Sequence, residues 1–188
     1  MRKRVSIYDG QPEPEDVWSY YQETRDSIVQ AATATKRALI GGAAMADPRF
    51  QLMNIEEIDA FYGELLDETD AHACLFLIAS AEAALRIDFL RRVYKRGRDT
   101  VSKEFRQIYA AKEREMRNVR LDADILAVWT ADKPRVQRYV NEFAGALNYR
   151  HWLAHGRYWV PKLGKRYDPS GIQQIVTSLF AEIGLLRR

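Results

Sequence analysis

At 188 residues, with 47% apolar and 29% charged side chains, the chain is long enough for one domain with a full hydrophobic core and has an ordinary soluble composition. One cysteine, Cys74, excludes an intramolecular disulfide framework, and no apolar run reaches membrane-spanning length, the best candidate, 71–85, being broken by His72, Ser80 and Glu82. The net charge of +3 is unevenly spread: residues 1–81 carry 7 basic and 14 acidic side chains, 82–120 carry 12 and 6, and 121–188 carry 10 and 6. A basic C-terminal portion suits an anionic partner, of which nucleic acid is the commonest, while a solvated helical surface of mixed sign explains it equally well.

Residues 1–13 read as a flexible arm with turn chemistry at Asp9-Gly10 and Pro12. Arg2, Lys3 and Arg4 are followed by Asp9, Pro12 and Glu13 where a signal peptide needs an apolar core, so a cytoplasmic setting without membrane attachment is expected. The rest, 14–188, reads as one helical domain. A first helix is predicted from Pro14, with Glu15 and Asp16 at the positive end of its dipole, running to about Leu39 before Gly41-Gly42. Asn54 with Glu57 three residues later opens a second, carrying Ile55, Ile58, Phe61, Tyr62 and Leu65.

Asp70 is expected to cap a separate third helix from Ala71 to about Arg96. It is apolar over most of its girth from Cys74 to Leu85, so it should be the central core helix, ended by Gly97. An amphipathic helix follows from Ser102 to about Arg117. Asp122 should cap a short helix bearing Ile125, Leu126, Val128 and Trp129. Pro134 suits the first turn of the next, whose stripe of Val136, Tyr139, Val140, Phe143, Ala144 and Leu147 leads into Arg150. Gly156 stands where a left-handed helix cap would be, and residues 157–169 form a basic, aromatic loop. Ser170 and Gln173 pattern as a capping box for a final helix through Leu186; any strand is confined to Tyr158–Val160. The fold class is all-α, an antiparallel bundle of five to seven helices.

The segment Tyr149-Arg150-His151-Trp152-Leu153-Ala154-His155-Gly156 carries the chemistry. Arginine supplies a fixed, forked cation for a phosphate, and histidine exchanges a proton near neutral pH. Five helical positions turn the direction by about 140°, so Arg150 and His155 share no face of a straight helix. They converge only where the helix bends or ends, or across an interface. Both residues also fit structural roles, His155 against the helix dipole and Arg150 in an ion pair.

Arg150 and His155, separated by four residues, with polar His151 directly after the arginine, resemble the R-x(4–6)-H motif of the HEPN superfamily. That resemblance implies an all-helical domain, a metal-independent endoribonuclease with no cofactor, a homodimer with the motif at its interface, and a role in antiviral defence or as a toxin-antitoxin growth regulator. It makes RNA the substrate and an antitoxin or regulatory protein a further partner. It assigns Arg150, His155 and His151 to catalysis. The alternative is a non-catalytic HEPN-type module that binds RNA, a nucleotide or a protein. Toxins of this group paired with a nucleotidyltransferase often carry a tyrosine two residues after the histidine. Tyr158 stands three after, which sets this chain apart from that subgroup.

Glu82, in the most apolar part of the core helix, needs a cation, and Arg150 or Arg86 can supply it. Such an acid either orients the motif arginine or makes a structural ion pair. Tyr158, Trp159 and Tyr167 alternate with Arg157, Lys162, Lys165 and Arg166, a pattern that either stacks unpaired bases beside phosphates or anchors the loop. Arg91 and Arg92 are candidates to track an RNA backbone. There is no Walker loop, no His-Glu-x-x-His and no plausible serine or cysteine triad.

Overall fold

The computed structural model describes residues 7–8, 10–44 and 47–185. It holds six α-helices: α1 (Pro14–Ile40), α2 (Ile55–Lys95), α3 (Thr100–Ala111), α4 (Ala127–Asp132), α5 (Gln137–Ala154) and α6 (Pro169–Ile183). The chain is therefore an all-α bundle, and no strand occurs among the described residues, Tyr158–Val160 included.

α1 and α2 form an antiparallel hairpin. The Tyr21 hydroxyl donates to Asp70 at 2.9 Å, Thr35 meets the Tyr62 hydroxyl at 3.0 Å, and Lys36 pairs with Asp59 at 2.6 Å. As numbers rise along α1 they fall along α2. α5 also runs against α2, since Arg150 faces Glu82 and Arg157 faces Glu68. α6 returns beside α5, with Arg135 on Glu182 and Tyr149 stacked on Tyr167.

α2 is one helix of 41 residues, about 60 Å long, where the sequence predicts two. Nothing between Leu66 and Ala71 breaks a helix, and Asp70 does not cap one. Its carboxylate is used by Tyr21 on α1 instead. The C-terminal part of α2 carries the main core, in which Leu77, Ile78, Leu85 and Phe89 are fully buried against α3, α5 and α6. Its N-terminal part packs with α1 around a second, small cluster of Phe50, Ile58 and Tyr62.

Helix starts follow local chemistry, as predicted at Pro14, where Glu13 and Asp16 close a capping box, and at Asn54 with Glu57. Four ends differ from prediction. α3 stops at Ala111 because Glu113 and Arg114 both adopt left-handed backbone (φ 57° and 59°). The Asp122 region begins as a π-helical turn, Leu121–Leu126, in which Asp124, not Asp122, takes the free Arg120 N–H at 2.7 Å. Asp168 caps α6 through the Gly171 N–H at 2.8 Å, and Ser170 donates to that same carboxylate. α6 ends at Ile183, short of the predicted Leu186, because Gly184 takes left-handed backbone (φ 67°). Leu186 itself and residues 1–6 and 9 of the expected arm lie outside the described residues; Ile7 packs against the main core.

Candidate functional site

α5 buries Phe143 and Ala146 and half-buries Val140, Leu147, Tyr149 and Leu153, a stripe that presses the helix onto α2 and α6; Ala144, expected in that stripe, is exposed. It closes in three backbone bonds: His155 N–H to His151 O at 3.2 Å, Gly156 to Leu153 at 3.3 Å, and Arg157 to Trp152 at 3.3 Å. His155 is the capping residue, and Gly156 takes the left-handed conformation predicted for it (φ 81°). Arg157 follows with φ 55°, a conformation uncommon outside glycine. The chain thus reverses sharply right after the motif.

Arg150 projects toward α2. Its Nη2 lies 3.6 Å from Glu82 Oε2, an ion pair too long for a hydrogen bond. The other Glu82 oxygen receives Arg86 Nε at 2.9 Å, and Arg86 Nη1 donates to the Val119 carbonyl at 3.1 Å. Glu82 therefore sits between both cations that the sequence offered for it. Its side chain is 19% exposed, that of Arg86 32% and that of Arg150 38%, so Arg150 is held from within while its fork still reaches solvent.

The two histidines lie on a different side of the helix end. Both are exposed, and their rings are 4.2 Å apart, tilted by 54°. The Trp159 ring stands 6.3 Å from His151, and its carbonyl accepts the Trp152 indole N–H at 2.7 Å, which folds the loop back on α5. Within one chain the motif forms two groups. No hydrogen bond or ion pair joins Arg150 to either histidine among the described residues.

The remaining expected site residues divide in the same plain way. Tyr158, Lys162, Lys165 and Arg166 are exposed and Trp159 is half-buried. Tyr167 is buried in a stack on Tyr149, so it anchors the loop and has no face for a base. Arg157 is exposed but engaged, its Nη2 donating to Glu68 at 2.8 Å. Arg91 is half-buried.

Arg92 is not on an RNA-tracking face. It is 8% exposed and gives Nε to both oxygens of buried Asp88, at 3.0 and 2.9 Å. Its other nitrogens reach Asp99, which caps α3, and the Gly184 carbonyl at the end of α6. Its guanidinium also covers the Trp129 ring at 4.7 Å. Arg92 is the clamp that ties α2 to the ends of two other helices.

Sequence reasoning missed Glu68. It lies on α2, 89 positions before Arg157, and nothing in its local spacing marks it. The Arg157 hydrogen bond holds its carboxyl below the usual carboxylate range. Asp70 and His72, close in sequence, do not form a pair for a metal, since Asp70 is turned to Tyr21. Cys74 is buried, and burial, aided by Asp70 and Asp168, pushes its thiol up to about 12, which removes it as a nucleophile at neutral pH. A groove of about 860 Å³ runs between α1 and α2, lined by Val17, Tyr20, Thr24, His72 and Phe76, and no residue of the 149–157 segment lines it.

No family model matches the chain, and neither a curated protein nor a solved structure is found to be similar to it.

Proposed function

We propose that the chain is a HEPN-type endoribonuclease that cleaves RNA without a metal, in antiviral defence or toxin-type growth control. The observation that carries this reading is the pair of exposed, adjacent imidazoles at the end of α5, one turn from an arginine held by Glu82. A base takes the proton of an RNA 2′-hydroxyl, which attacks the adjacent phosphorus. An acid protonates the leaving 5′-oxygen. His155 is the proton-transfer residue, and His151 orients it or serves as the second proton carrier. Arg150 neutralises the phosphoryl oxygens as charge builds on them. The products are a 2′,3′-cyclic phosphate and a 5′-hydroxyl.

A two-fold dimer with α5 ends facing each other would set the arginine of one copy against the histidines of the other. The resemblance carries that arrangement, and the separation of Arg150 from the histidines within one chain gives it a purpose.

One observation favours the second reading, a non-catalytic module that binds RNA or a protein. His155 occupies the helix-cap position and Arg150 has an acidic partner, the two structural roles that these residues can fill without chemistry. Incubating wild type and His155→Ala with mixed cellular RNA in EDTA separates the two. Cleavage by wild type alone, leaving cyclic phosphate ends, is the expected result. Intact RNA with both proteins, alongside salt-dependent binding, sinks the nuclease and leaves the module.

A further inference from the structure

His151 and His155 stand one helical turn apart, and the backbone bond from His155 N–H to the His151 carbonyl fixes that spacing. Two histidines at this spacing on one helix face are the arrangement by which helices chelate zinc. The ring centroids stand 4.2 Å apart, about 1 Å closer than two imidazoles on one tetrahedral zinc, and both rings are exposed, so a small turn of the side chains brings one nitrogen of each to a common ion. Among the described residues, neither imidazole makes a hydrogen bond that would have to be broken first. Both rings are exposed, so an ion reaches them without disturbing the core.

The electrostatic objection is the neighbouring arginines, whose charge would repel a dication. It is weakened because Arg157 is paired with Glu68 and Arg150 shares Glu82 with Arg86.

We infer that His151 and His155 form a two-imidazole site for a divalent transition-metal ion of the zinc, nickel and copper class, open to water at its remaining positions. Imidazole prefers these ions to magnesium and calcium, so the magnesium that accompanies RNA does not compete. The bound ion takes the nitrogen lone pairs. Where the proposed nuclease reading holds, it removes from reaction the groups that exchange protons, and zinc becomes an inhibitor of a metal-free enzyme.

The test is calorimetric titration of zinc chloride into the full chain, with His151→Gln, His155→Ala and His72→Ala in parallel and circular dichroism to check each fold. Wild type and His72→Ala are expected to bind one zinc per chain with equal affinity. Losing either motif imidazole turns two-point into one-point attachment and weakens binding by about a hundredfold. His151→Gln decides the matter should His155→Ala disturb the helix end. Zinc affinity unchanged in His151→Gln, or lost in His72→Ala, overturns the inference, as does wild type that takes up no zinc. Wild type that binds zinc through both histidines yet leaves RNA uncut in EDTA keeps this site and loses the nuclease reading.

Discussion

Glu68 on α2 and Arg157 in the loop after α5 meet at 2.8 Å across 89 positions of sequence. The contact falls two residues after His155, where the chain has just turned through left-handed backbone at Gly156 and Arg157. A non-glycine residue in that conformation is held there by its surroundings, and Glu68 is the partner that holds Arg157. The pair fixes where the loop leaves α5, immediately after the two imidazoles. Glu68→Ala should leave the fold intact but speed amide hydrogen exchange across 156–160. Where the proposed nuclease reading holds, cleavage should fall between about tenfold and a hundredfold, the cost of a slightly misplaced catalytic group. Exchanging the charges, Glu68→Arg with Arg157→Glu, should restore both readouts. Exchange rates unchanged by Glu68→Ala would count against the latch.

Glu82 links Arg150 to Arg86, and its loss leaves two half-exposed guanidiniums without their acid. Because both cations retain solvent, the expected stability cost of Glu82→Gln is modest, about 1 kcal/mol in urea denaturation. On the proposed nuclease reading, cleavage should fall far more than stability, in step with Arg150→Ala. Arg150→Lys should not rescue it, since an ammonium lacks the planar fork. A variant with lost stability and full activity would mark Glu82 as a purely structural partner.

Arg92 makes the opposite prediction. Its removal strands buried Asp88 and unties the ends of α3 and α6. Breaking a buried pair from one side costs about 3–5 kcal/mol, so Arg92→Ala should show a large drop in urea midpoint. Its effect on RNA affinity should be no more than the loss of folded protein explains. Lys162, Lys165 and Arg166 are exposed. If RNA is the partner, as proposed, neutralising all three should lower RNA affinity and flatten its salt dependence at unchanged stability.

Two buried phenols set an alkaline limit. Burial, with the hydrogen bond to Asp70, raises Tyr21 from 10.0 to about 12, and burial, with the Tyr94 hydroxyl, does the same to Tyr109. A raised value means that the folded state holds the proton more tightly than the unfolded one. The stabilisation is complete below the unfolded value and is lost as pH rises from about 10 to about 12. Folding free energy measured across that window should decline. Tyr21→Phe should make the decline shallower, because one of the groups whose raised values produce it, Tyr109 and Cys74 being others, is gone.

Cys74 provides a direct probe of the core. Its thiol, raised to about 12 by burial and then by Asp70 and Asp168, is almost entirely protonated at pH 8. Iodoacetamide should leave it unmodified in the native chain and label it on unfolding in urea, a contrast that mass spectrometry reads in one experiment. Rapid labelling of the folded protein would show that α2 opens locally around it.

Features that depend on a few neighbouring residues were legible before any coordinates. Pro14, the Asn54–Glu57 box and Gly156 mark helix boundaries because caps and left-handed turns are set within one helical turn of chain. The stripe ending in Leu147 placed α5 on the core for the same reason of period. Residue pairs far apart in sequence were not legible. Asp70 looks like a cap, yet α1 delivers Tyr21 to it and α2 runs on through. Arg92 looks like its neighbours in a basic run, yet it alone of the two expected RNA contacts there is buried, because Asp88, one turn before it, and the ends of α3 and α6 enclose it. Glu68 has no local mark at all. An isolated charge carries no information about its partner until packing brings the two within a few ångströms, so helix boundaries were local properties here, and the ion pairs around Arg150, Arg157 and Arg92 were properties of the folded bundle.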